Sequence, residues 1–108
     1  MEMNEYQLAA QKTAIYPQNL AVIYPAIGLA GETGEVAEKV KKAIRDDGGT
    51  FTPERREAIA RELGDVLWYV ALIAHDLGLT LDDVARLNVE KITSRQRRRV
   101  QHGSGDNR

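Results

Sequence analysis

The chain has 108 residues, a formal net charge of −1, 43% hydrophobic and 29% charged residues, and no cysteine. That suffices for one domain around one core, with the balance of an ordinary soluble protein. It excludes disulfides and thiolate metal sites, leaves carboxylates and two histidines as the main side-chain ligands for a metal, and gives no global charge argument for binding a nucleic-acid polymer or a membrane surface.

The opening segment MEMNEYQLAA is acidic and polar and does not read as a signal peptide. A cytoplasmic protein is expected. No strand pattern stands out, and four helices are predicted. The first runs from about Asn4, as its cap, to about Ile15, where Pro17 helps to end it. A loop follows over 16–24. The second helix starts near Pro25, a suitable first-turn residue, and runs to about Arg45, with the DDGG of 46–49 as its stop. Thr52 caps a third helix over about 53–77, with Pro53 at its first position and Glu54 near the positive end of its dipole. Thr80 caps a fourth over about 81–100, with Asp82 and Asp83 in its first turn. Residues 1–100 read as a single domain, and the polar tail 101–108 is expected to be disordered.

The third helix contains VLWYVALIA, residues 66–74, apolar on all sides. Nine residues are too few to span a bilayer, so the segment should be buried on most sides within protein. A chain this short has few helices of its own to cover it. The expected architecture is therefore an all-α, four-helix bundle-type subunit, with part of the cover supplied by a second copy.

The chemistry is concentrated in two stretches. GLAGETGEVAEKVKK (28–42) carries Glu32 and Glu35, and RELGDV (61–66) carries Glu62 and Asp65. Each pair is spaced i, i+3, so its members share a helix face. Asp65 stands at the entrance of the buried run, where an unpaired carboxylate is costly. Arg61, one turn earlier, is one candidate to compensate it, and a metal ion is another. Two such pairs facing each other across a helix contact bring four carboxylates within reach of a hard cation such as magnesium or manganese. Glycines 28, 31 and 34 weaken the second helix by about 1 kcal/mol each. Gly28 and Gly31 lie one turn before Glu32 and Glu35, where bare backbone lets a neighbouring helix or a ligand approach. A bland reading stays open: Glu35–Lys39 and Glu38–Lys42 are favourable i, i+4 pairs, so the acids can equally be one side of a salt-bridged surface.

These two stretches resemble the MazG-like, all-α nucleoside triphosphate pyrophosphohydrolases, whose signature is ExxE, a gap, then ExxD. The resemblance covers roughly residues 20–98. It implies a helical fold that dimerises, with Glu32, Glu35, Glu62 and Asp65 as the catalytic, metal-holding set for Mg2+ (or Mn2+). It implies hydrolysis of an NTP or dNTP to the monophosphate and pyrophosphate, in the service of nucleotide-pool clearance. It also implies a phosphate-contacting set on the last helix. Asn88, Lys91 and Arg95 fit that set, being spaced i, i+3, i+7 on one helix face. A nucleoside triphosphate is the expected partner, in a homo-oligomer that is a dimer or a dimer of dimers. The loop before the second helix departs from the family in being short and lacking tryptophan and histidine.

Tyr69 lies four residues after Asp65, on the carboxylate face, and is expected to contact sugar or base. Trp68 reads as packing, and Tyr16 and Tyr24 as loop tyrosines able to stack on a base. The competing readings are a non-catalytic helical dimer with a salt-bridged acidic cluster and a di-iron carboxylate bundle. The second needs Glu-x-x-His pairs, which this sequence lacks.

Overall fold

The structure is a computed structural model and describes residues 1–99. The tail expected to be disordered lies outside the described residues, as does Val100 at the end of the predicted fourth helix. Among the described residues there are four α-helices, α1 (Met3–Gln11), α2 (Ile23–Asp47), α3 (Pro53–Asp76) and α4 (Leu81–Arg98), with a 3-10 turn at Gln18–Leu20. Among the described residues there is no strand.

The helix ends follow from local chemistry. The Thr52 hydroxyl accepts the Arg55 N–H at 3.2 Å, and Pro53 opens α3 as predicted. Thr80 and Asp83 form a reciprocal capping box at the start of α4. Helix α2 runs two residues beyond Arg45, until Gly48 and Gly49 adopt positive φ and the Gly49 N–H bonds to the Ala43 carbonyl. Helix α1 is shorter than expected, and Asn4 is not its cap. The Asn4 side chain instead accepts the Asp82 N–H at 3.1 Å, capping α4 across the molecule.

Helices α2 and α3 form an antiparallel hairpin closed by the short turn at 48–52, and this is the main helix contact of the chain. Helix α1 packs on α3. Helix α4 leaves α3 at 100° and rests on α1 and α3, not along α2. The expected bundle is therefore open. The radius of gyration is 16.6 Å, against about 13 Å for a compact chain of this length.

The core sits where α1, α3 and the start of α4 meet: Ala10, Ala71, Leu72 and Leu81, with Tyr6, Tyr16, Trp68 and Val70 against it. Gln7 locks this junction. Its buried amide donates to the carbonyls of Ala71 and Leu79 and accepts the Leu81 N–H. The apolar run of α3 is only partly covered: Ala71, Leu72 and Ala74 are buried, but Leu67 is 41% exposed. Ile27, Leu63, Leu87 and Val89 are each more than half exposed. No single helix among the described residues is long and apolar enough to cross a membrane.

Candidate metal centre

The antiparallel register of α2 and α3 decides which side chains meet. It sets Gly28 against Tyr69, and Glu32 against Glu62 and Asp65. A carboxylate oxygen from each of Glu32, Glu62 and Asp65 lies within 4.8 Å of the other two. Glu32 and Glu62 are half-buried and Asp65 is exposed. One oxygen of Glu32, Oε2, is buried and has no hydrogen-bond partner among the described residues. An orphaned carboxylate oxygen is costly to keep, and it is a ready ligand for a hard cation.

The electrostatics agree. The Glu32 carboxyl is pushed above the usual glutamate range by desolvation first, then by the negative charges of Asp65, Glu62 and Glu35. All of these disfavour a further negative charge, and none comes from a cation. A donor set of carboxylates alone, with unmet negative charge, fits magnesium or manganese and has no nitrogen or sulfur donor to favour softer metals.

Glu35 stands apart from the three converging acids. Its side chain is exposed and contributes charge to Glu32 from the side. Arg61 does not compensate Asp65. It pairs with Glu57 at 2.8 Å on the exposed face of α3. Lys39 forgoes the expected i, i+4 partner Glu35 and reaches across to Glu62, 3.9 Å away. Glu38 pairs with Lys41 at 2.9 Å, not with Lys42. Beside the cluster, Lys39, Glu54, Glu57, Ala58, Arg61 and Glu62 line an open polar groove of about 350 Å³.

Tyr69 does lie on the carboxylate side. Its ring packs over Gly28, and its hydroxyl pKa is raised by desolvation first and then by Tyr24, Glu32 and Asp65. Trp68 meets Tyr69 edge-on and donates its indole N–H to Thr13 Oγ1 at 2.8 Å, in line with a packing role. Tyr16 and Tyr24 stack on each other at 5.2 Å. Of the glycines, Gly28 gives way to a neighbour, whereas a Cβ at Gly31 or Gly34 would meet nothing in this chain.

Asn88, Lys91 and Arg95 ride on α4, which leaves α3 at 100° and packs on α1 and α3. Asn88 is exposed, Lys91 half-buried and Arg95 buried. Sequence reasoning passed over Asp76, whose Oδ2 accepts both the Tyr16 hydroxyl at 2.6 Å and the Val22 N–H at 2.9 Å. That carboxylate fixes the entry of α2 and hence the register of Gly28 and Glu32. The only signal for it in the sequence is an acid where a basic residue suits a helix C-terminus.

Comparison with known proteins points the same way. The model of the MazG nucleotide pyrophosphohydrolase domain matches residues 26–100, which takes in all of the acidic residues above. The chain is 46% identical over its whole length to the Gene 37 protein of Mycobacterium phage L5, which it covers completely. It is 31% identical over 72 residues to a Bacillus subtilis (strain 168) protein named Uncharacterized protein YvdC, an alignment covering 62% of this chain and 68% of that one. No solved structure matches it.

Proposed function

Because this chain belongs to the MazG nucleotide pyrophosphohydrolase family, we propose that it is a divalent-metal-dependent enzyme converting an NTP or dNTP to the monophosphate and pyrophosphate. The observation that carries the reading is the convergence of the Glu32, Glu62 and Asp65 carboxylates, with one oxygen of Glu32 buried and without a hydrogen-bond partner among the described residues. Glu32, Glu62 and Asp65 are the residues to hold Mg2+ or Mn2+, with Glu35 joining from the exposed side. When bound, the metal supplies positive charge against the triphosphate and acidifies the attacking water for in-line displacement at phosphorus. The chain's own residues do the rest. The carboxylates fix where the triphosphate lies, and one of them takes the proton from water. Tyr69, held over Gly28, offers a ring to the sugar or base.

A homo-oligomer is part of the same proposal. Exposed Ile27, Leu63, Leu67 and Leu87 form apolar surface that a second copy would cover. Asn88, Lys91 and Arg95, on α4, would serve the phosphates in such an assembly. The salt-bridged alternative retains one contact, Lys39–Glu62. It loses its main cation, because Arg61 is engaged by Glu57. The direct test is pyrophosphate release from a panel of NTPs and dNTPs with magnesium or manganese. Turnover that stops with chelator supports the enzyme, and no turnover on the whole panel with either metal overturns it.

A further inference from the structure

A cation, Lys39, sits at the edge of the acidic cluster, in an unexpected place. Lys39 follows Glu35 by one turn in the order that favours an i, i+4 pair. It nonetheless extends across the hairpin to Glu62 on α3, 3.9 Å away, with the two side chains only 29% and 17% exposed. Both are thus better shielded from solvent than the chain's surface pairs, such as Arg61–Glu57 at 78% and 67%. Glu62 is also one of the three acids whose oxygens converge within 4.8 Å. The same carboxylate is therefore offered to an ammonium from one side and to the carboxylate cluster from the other. Among the described residues, Glu62 is the member of the cluster that Lys39 pairs with; Glu32 and Asp65 have no ion pair. The ammonium neutralises one acid and leaves the remainder of the cluster negative.

From this geometry, and resting on the metal-centre reading above, we infer that Lys39 is a resident counter-cation that competes with the divalent metal for Glu62. Without metal, it pairs with the half-buried Glu62 and so ties α2 to α3. With metal, Glu62 gives its charge to the ion, and like charge drives the ammonium off. The four-carbon stem lets it shift within the groove it already lines, toward the carboxylates of Glu54 and Glu57. Lys39 is thus a positioning residue that acts through Glu62 and sets the metal concentration at which the site fills. A purely structural lysine would stabilise the fold without opposing the metal.

The test is metal binding by calorimetry, with thermal melts in parallel, on the full chain and on Lys39→Met and Lys39→Arg. Magnesium and manganese alone are the ligands, with no nucleotide present. Lys39→Met should bind either metal at least about tenfold more tightly, because tenfold is what one positive charge a few ångströms from a divalent ion costs even at the dielectric of water. It should also melt lower than wild type without metal and gain more from saturating metal. Lys39→Arg should bind close to wild type. Equal or weaker metal affinity in Lys39→Met, beside a wild type that binds, overturns this inference and leaves the metal centre standing. No metal response in wild type or in Lys39→Met overturns both.

Discussion

The ring of Tyr69 occupies the space in which a side chain on Gly28 would begin. The glycine that weakens α2 is the one that lets α3 bring a tyrosine up against the helix backbone, one turn from Glu32. Substituting Gly28→Ala forces the ring aside. The overpacking costs about 1–3 kcal/mol, more than the roughly 1 kcal/mol gained in helix propensity. Gly34→Ala meets nothing and should gain about 0.5–1 kcal/mol. Urea denaturation of the two variants should therefore move in opposite directions. A Gly28→Ala protein as stable as Gly34→Ala would mean that the ring yields freely and the contact sets nothing.

Gln7 joins α1 to α3 and to the first turn of α4 through three hydrogen bonds, at 3.0–3.2 Å, across more than sixty residues of chain. It is 4% exposed, so water cannot replace its bonds. Gln7→Leu keeps the volume and strands the Leu81 N–H and two carbonyls, for a loss of about 2–4 kcal/mol. An unchanged denaturation midpoint would show that α4 docks without it.

Asp76 holds a strained turn. Val22 has φ 69° and ψ −51°, and the Ile23 N–H closes a three-residue γ-turn on the Ala21 carbonyl at 2.8 Å. A β-branched residue there costs about 1–3 kcal/mol, offset by the bonds that Asp76 Oδ2 makes to Val22 and Tyr16. Asp76→Ala should lose about 1–3 kcal/mol. Asp76→Asn keeps an oxygen able to accept both protons and should lose less than half as much. If the two variants melt together, the acceptor is not what holds the turn.

The contrast between these residues and the caps explains what the sequence could disclose. Thr52 with Pro53, Thr80 with Asp83, and Gly48 all act within one turn of their own helix, so their chemistry is written beside them. The i, i+3 carboxylates are equally local. Three of the four meet because a short turn forces α2 and α3 antiparallel. Gln7, Asp76 and the choice of Glu62 over Glu35 by Lys39 depend on partners that only the fold brings near. So does the 100° turn of α4, the helix that carries Asn88, Lys91 and Arg95. The incomplete cover of the α3 apolar run, with Leu67 exposed, follows from the same opening of the bundle.

The capping box gives a pH dependence with a fixed sign. Hydrogen bonds from the Thr80 N–H and hydroxyl, with Arg86 beside it, hold the Asp83 carboxyl below its ordinary value near 3.8. A carboxyl lowered on folding stabilises the protein fully above its unfolded value, and loses that contribution as pH falls through the folded one. Asp83→Asn should therefore melt lower than wild type at pH 6, and the gap should close as pH drops below about 4. A gap that stays constant down to pH 2 would mean that the ionised form is not what caps α4.

The metal centre and the salt-bridged dimer differ in the sign of one substitution. Among the described residues Asp65 has no ion-pair partner, and it adds its charge to that of Glu32. If the acids form a metal site, Asp65→Asn relieves repulsion, so the metal-free protein should melt at the same temperature as wild type or higher. Activity should be lost, and so should most of the stabilisation by magnesium. Wild type should gain about 2.7 kcal/mol at a metal concentration one hundred times its dissociation constant, because the ion binds only the folded chain. If the acids are structural partners of cations, neutralising one strands a positive charge, the variant melts lower, and magnesium shifts neither protein. Melts of wild type and Asp65→Asn, each with and without magnesium, separate the two. A destabilised variant beside a magnesium-insensitive wild type would leave the salt-bridged dimer as the reading to keep. A metal-stabilised wild type beside an unharmed variant would place the ion among Glu32, Glu62 and Asp65.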